Sequence, residues 1–268
     1  MSAMISSLFA TLAIVFLAVL QTAPAAAQSP SGPSGKQYYE IRTYLLGPDG
    51  DEKAVDQYLK NALLPALKRQ GYGPIGVFQP ASQDTNDRRA IVVVIPYESA
   101  DQIAAVNEQL ADDAQYQSEA KEYLSRGPKD APFKRITSEL LIAMDCMPKL
   151  AVDPSSLSNK DRVYELRVYE SANERLGNLK VDMFNSGEVP IFHDSGITPI
   201  FIGQAIVGPQ TPNLTYLTVY PSDEARQEAW DAFRKHPDWL VLKDVAKYKG
   251  TVSRIDKYIL QAKPYSEM

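Results

Sequence analysis

Two stretches of this 268-residue chain carry the side chains best suited to chemistry. Residues 39–44 read Tyr-Glu-Ile-Arg-Thr-Tyr, and residues 164–169 read Tyr-Glu-Leu-Arg-Val-Tyr. Successive side chains of a strand point to opposite faces, so Glu40, Arg42 and Tyr44 share one face, as do Glu165, Arg167 and Tyr169. Each triplet offers a carboxylate, a guanidinium able to grip an anion in bidentate fashion, and a phenol able to donate a proton. With the more apolar face expected under a helix layer, both triplets are expected to point into the space between two sheets and to line a pocket for a small anionic ligand. A structural alternative stays open, in which the Glu–Arg pairs neutralise each other in a dry interior and bind nothing.

The remaining candidates are few. Neither His193 nor His236 has a second histidine three or four residues away, so no helical metal pair exists and no metal site is expected. His236 precedes Pro237, a good first residue of a helix, and reads as a boundary residue. His193 falls near a helix end where a cation suits the dipole. The single Cys146 excludes an intrachain disulfide framework and a Cys-rich metal site. The chain holds no GxSxG, P-loop or HExxH.

The elements that position the triplets follow from an internal repeat. Tyr39, Glu40, Arg42 and Tyr44 recur 125 residues later as Tyr164, Glu165, Arg167 and Tyr169, and Pro65, Gly71, Pro74 and Pro96 recur in the same register as Pro190, Gly196, Pro199 and Pro221. Toward the end the offset falls to 119, which places six extra residues of the first copy in the turn-forming stretch 127–132. Each copy reads strand, helix, strand, strand, helix, strand. Strands are expected at 38–46, 75–79, 90–95 and 134–144, and again at 163–170, 200–204, 215–220 and 253–262. Helices are expected over 51–70 and 173–195, kinked near Pro65 and Pro190 and ended by Gly71 and Gly196. Ser99 with Gln102, and Ser222 with its acidic followers, mark the starts of the second helices. The pattern predicts an α+β chain of two tandem ferredoxin-like (βαββαβ) units, at 36–147 and 162–263. These are expected to pack sheet to sheet as a pseudo-dimeric α/β barrel, with 148–161 as linker. The edges of such split sheets could recruit further copies into a homo-oligomer.

The runs YYEIRTY and VYELRVY, each followed by a Gly-terminated helix, with FRKHPDW in the second copy, resemble the NIPSNAP family. The first copy departs from this pattern, with Ala111-Asp112-Asp113-Ala114 where the second has His236-Pro237-Asp238-Trp239. The resemblance implies the dimeric α/β-barrel superfamily, which also includes small monooxygenases and haem-dependent chlorite dismutase-like proteins. It thereby implies His193 or His236 as conceivable haem ligands, although the residues themselves predict no cofactor. It carries no agreed catalytic motif. A binding or interaction module of unknown ligand, small molecule or protein, is the first expectation; an oxidative, monooxygenase-like or haem-dependent enzyme using the inter-sheet cavity is the alternative.

With 28 Lys+Arg against 33 Asp+Glu and no basic block, the net charge of -5 leaves no nucleic-acid footprint. Leu8–Leu20 is thirteen uncharged residues, shorter than the roughly 20 a spanning helix needs, and Ala25-Ala26-Ala27 follows as an A-x-A cleavage pattern. Residues 1–27 are expected to be a signal peptide and 28–35 a Ser/Gly/Pro linker. The mature chain is then exported to the periplasm or medium, with no stable membrane span.

Overall fold

The computed structural model describes residues 35–86 and 88–268. The expected signal segment, and all but the last residue of the linker after it, lie outside the described residues. Among those residues no helix is long and apolar enough to cross a membrane.

The first half contributes β1 (Tyr38–Leu45), β2 (Gly76–Pro80), β3 (Ala90–Tyr97) and β4 (Arg135–Ala143). The second contributes β5 (Val163–Glu170), β6 (Thr198–Val207), β7 (Asn213–Tyr220) and β8 (Arg254–Ala262). All eight close into one antiparallel barrel in the order β1-β3-β2-β8-β5-β7-β6-β4. The expectation of two sheets packed face to face is corrected in one respect. The halves are joined at their edges, where β2 pairs with β8 (Gln79 opposite Gln261) and β4 with β6 (Ile142 opposite Gln204). Closure pairs backbone groups that an open edge would leave unsatisfied, so the edges expected to recruit further copies are consumed within the chain.

The helices cover the outside of the barrel. In the first half α1 (Glu52–Tyr58) and α2 (Leu64–Arg69) are separated by a π turn at Leu59–Leu63, and in the second α6 (Glu174–Met183) and α7 (Val189–Asp194) by one at Phe184–Glu188. Pro65 and Pro190 are each the second residue of the helix that follows the widened turn. A proline ring strikes the carbonyl one turn back and lacks an N–H, and the extra residue in the preceding turn relieves both. The helix is therefore re-registered rather than broken. Gly71 and Gly196, at φ 84° and 81°, end the two helices in the left-handed region that glycine tolerates best.

The second helical segment breaks at matching places in the two copies. α3 (Ala100–Asp112) gives way to α4 (Ala114–Glu119) and then α5 (Lys121–Leu124), while α8 (Asp223–Lys235) gives way to α9 (Pro237–Leu242). Asp113 caps α4 by accepting from the Tyr116 N–H, and His236 Nδ1 caps α9 by accepting from Asp238 N–H at 3.2 Å. Ser222 caps α8 as expected. Ser99 does not cap α3: its hydroxyl is buried without a partner, and the Gln102 side chain instead accepts from the Glu98 N–H.

Three apolar clusters result. Two lie between helices and barrel wall, one per half, and the third fills the barrel, where Tyr39 packs on Phe201 at 4.9 Å and Phe78 on Tyr164 at 4.8 Å. Residues 263–268 cross to the first half and extend β2, with Lys263 N–H donating to the Val77 carbonyl and Glu267 N–H to that of Ile75. The Met268 side chain joins the barrel filling. The sequence boundary at residue 263 leaves this segment out.

Candidate functional site

The two Glu-Arg-Tyr triplets fall on the face opposite to the one expected. Tyr39 and Ile41 belong to the barrel filling, whereas Tyr44 packs in the cluster beneath the first-half helices and Tyr169 in the one beneath the second-half helices. The expectation rested on the alternation of β1 and β5 alone. Neighbouring β3 is apolar on both faces, Ile91, Val93 and Ile95 outward and Val92 and Val94 inward, so both faces of the wall are covered and β1 alternation does not say which cover lies on which side. The helix side is also where hydrogen-bond donors for buried carboxylates are found.

Those donors are used. Glu165, fully buried, takes Arg167 Nε at 2.7 Å on one oxygen; its other oxygen takes Trp230 Nε1 at 2.7 Å and Arg226 Nη1 at 3.2 Å, both from α8. The Arg167 guanidinium lies 3.4 Å from the Trp230 ring centre and donates to Tyr169, whose hydroxyl also meets that of Tyr216 at 2.8 Å. In the first half Arg42 grips Glu40 with Nε at 2.9 Å and Nη2 at 3.0 Å, while Tyr97 and Ser138 donate to the same carboxylate at 3.0 and 2.7 Å. Burial alone would raise the Glu40 pKa, but the Arg42 charge and these three donors outweigh it and hold the carboxyl below its ordinary range. Each carboxylate is thus saturated by protein donors, the arrangement of the structural alternative. The α8 partners of Glu165 have no counterpart in the first copy, where Ile103 and Asn107 of α3 occupy the positions of Arg226 and Trp230.

The histidines do not fit a haem. His193 is exposed on α7, and His236 spends Nδ1 on the α9 cap with Nε2 3.9 Å from Asp194. Neither lines a described cavity. Cys146 is half-buried, and burial pushes its thiol up to about 11, far from a reactive thiolate.

The site that sequence reasoning missed is one end of the barrel. Aromatic rings fill the other end, but here a cavity of about 400 Å³ opens between the halves. Its walls are Ile41 and Leu45 of β1 with Leu166 and Val168 of β5. Its polar lining is Thr43, Thr137, Glu139, Thr215 and Tyr258, together with Arg88 and Gln210 from the loops before β3 and β7. Asn213 donates to Glu139 at 2.6 Å and is held by Thr215, which donates to its side-chain oxygen at 3.0 Å. Burial raises the Glu139 pKa; the Asn213 hydrogen bond opposes the rise and the nearby charge of Glu170 adds to it. The Arg88 guanidinium sits 4.6 Å from the Tyr258 ring centre, and its Nε is buried with no hydrogen-bond partner among the described residues. At the rim Gln210 bridges Glu170 at 2.6 Å and Asp256 at 2.9 Å, and Arg254 pairs with Asp256 at 2.9 Å. The repeat held a signal for this site, since Thr43 and Glu139 lie in the same alternation as Tyr39 and Leu141 and must enter the interior if those do.

Comparison with known proteins places this geometry in context. Over the whole chain the fold is similar to a "putative monooxygenase" from Fusobacterium nucleatum, 12% identical, covering 86% of this chain and 94% of that one with a TM-score of 0.53. A protein of the same description from Lactobacillus acidophilus is also 12% identical, covering 85% and 94% at a TM-score of 0.53. An uncharacterized NIPSNAP-like domain protein from Burkholderia xenovorans is 17% identical and covers 40% of this chain and 90% of its own, at a TM-score of 0.37. No curated protein sequence is similar enough to stand as a relative. At such identities the likeness concerns the fold. The NIPSNAP family model matches residues 164–267, which span β5 to β8 and the segment that crosses to β2, so the second half of this chain is similar to a NIPSNAP domain.

Proposed function

We propose that this protein is a small-molecule binding module whose ligand occupies the open end of the barrel. The observation that carries this reading is the cavity of about 400 Å³ with apolar walls and a few convergent polar groups, within the size range of ligand sites. Both halves wall it, which gives the duplication a role beyond mutual burial of sheets. The Glu-Arg-Tyr triplets support the same reading by exclusion, because their charges are already spent on one another and on α8. A fragment screen by saturation-transfer NMR tests it: hits are expected on the wild type and lost in Thr137→Trp, which fills the mouth, while the melting temperature stays within a few degrees. Hits that survive Thr137→Trp would move the site elsewhere.

A second reading, an oxidative small-molecule enzyme, rests on a different place. A cleft of about 260 Å³ between α1 and α5 is floored by Tyr58 and Tyr123, stacked at 3.9 Å, and the fold resembles proteins described as monooxygenases. An absorption spectrum of the purified protein separates the readings, since a chromophore that follows the protein would favour the enzyme. Export with loss of residues 1–27 is part of the same proposal; intact mass of protein from a periplasmic or culture fraction tests it, and a Met1 start there would refute it.

A further inference from the structure

The open end of the barrel holds two unspent groups of opposite charge. Among the described residues Arg88 takes part in no ion pair, and its only close partner is the Tyr258 ring. Glu139 has one oxygen held by Asn213, and among the described residues no donor meets the other. Both groups line the same cavity, yet they form no ion pair with each other. The remaining charges of the rim, Glu170, Asp256 and Arg254, are bridged among themselves and by Gln210. The repeat explains the placement. Position 139 of β4 corresponds to 258 of β8 at the offset of 119, so Glu139, held by Asn213, and Tyr258, under Arg88, stand at quasi-equivalent corners of one mouth. Duplication alone would make the corners alike. Divergence has left a cationic corner and an anionic one, with Ile41, Leu166 and Val168 between them.

Resting on the reading of the barrel mouth as a binding site, we infer that its ligand is a small zwitterion of amino-acid type with an apolar body, its carboxylate toward Arg88 and its ammonium toward Glu139. A simple anion would satisfy the guanidinium but sit beside an uncompensated carboxylate. A simple cation would do the reverse. The zwitterion satisfies both, and its apolar body replaces water against the aliphatic walls. The raised pKa of Glu139 agrees with a carboxyl that burial has separated from its counter-charge.

The experiment compares L-phenylalanine, 3-phenylpropanoate and 2-phenylethylamine, which share a body and differ in their poles, by titration calorimetry and saturation-transfer NMR at pH 8. L-Phenylalanine is expected to bind at least tenfold more tightly than either single-pole compound. Arg88→Gln is expected to reduce it to the affinity of the amine, and Glu139→Gln, which keeps the shape and the contact with Asn213, to that of the acid. Unchanged melting of both variants confirms that the losses are local. If 3-phenylpropanoate matches L-phenylalanine, or if Glu139→Gln binds as well as wild type, the zwitterion inference fails while the mouth remains a binding site. If none of the three compounds binds and no fragment contacts the mouth, both fail together.

Discussion

Glu165 shows what one residue can demand of a fold. Fully buried, it needs counter-charge and donors, and it draws them from β5 itself and from two positions of α8. Removing the charge it leans on most leaves a poorly compensated carboxylate. Arg167→Ala is therefore expected to lower unfolding stability by about 3–5 kcal/mol in denaturant titration, with no dependence on added anions. Arg42→Ala is expected to cost less, because the Arg42 side chain is 19% exposed against 11% for Arg167 and solvent can partly replace it. Glu40 also predicts a pH effect. Its folded pKa lies below the ordinary 4.5, so its contribution to stability is complete above that value and is lost as pH falls through the folded pKa. Glu40→Gln should be less stable than wild type at pH 7, and the gap should narrow in acid unfolding below about pH 4.5. A gap that stays constant would mean that the lost shape, not the lost charge, carries the cost. Lys180 and Glu188 form a further buried pair at 2.7 Å, set among Tyr169, Phe184 and Trp239. Lys180→Met alone should destabilise by about 3–5 kcal/mol, whereas Lys180→Met combined with Glu188→Leu should come within about 1 kcal/mol of wild type or exceed it.

Among the elements, β2 and β6 show how a duplicated interior is filled without overcrowding. β2 reads Gly76-Val77-Phe78 where β6 reads Phe201-Ile202-Gly203, so the large and small residues of one face are exchanged between the copies. A side chain at Gly76 would meet Phe78 at 2.5 Å and Met268 at 2.7 Å, and one at Gly203 would meet Leu141 at 2.8 Å. Gly76→Ala is expected to lower stability by about 1–3 kcal/mol through overpacking. Gly71→Ala meets nothing within 4 Å, so any loss there reports only the left-handed backbone. The paired π turns before Pro65 and Pro190 belong to this scale too. Sequence periodicity marks the helix and the proline, but a sliding window assumes one period throughout and cannot see a single widened turn.

At the scale of the whole molecule the barrel ties the halves by two strand seams and a shared filling. In the segment 263–268 the Glu267 and Ser266 side chains accept from the Ile75 and Val77 N–H groups, and Lys263 reaches Glu52 and Asp56 of α1, each at 2.8 Å. A protease site placed after Ser156, in the exposed 3₁₀ turn Pro154–Ser158, should therefore cut the chain without separating it. Size-exclusion chromatography under native conditions is expected to show the two fragments eluting as one species. Separate elution would mean that the linker, rather than the seams, holds the halves.

The repeat and the strand-helix order were legible from residues alone, whereas the joining of the halves at their strand edges was not. The former follow from backbone periodicity and from Pro and Gly positions, and these act locally. The triplets Glu40-Arg42-Tyr44 and Glu165-Arg167-Tyr169 were equally legible as sets, since alternation obliges them to share a face. Which face they took was decided by the tertiary structure. A strand such as β3, apolar on both sides, accepts either cover; on the outer side Tyr97 and Ser138 reach Glu40 from neighbouring strands, and α8 brings Trp230 and Arg226 to Glu165 from more than 60 residues away. The same choice turned Thr43, Glu139 and Tyr258 inward and created the cavity at the barrel mouth. Its residues come from five strands and two loops, so no spacing along the chain announces it.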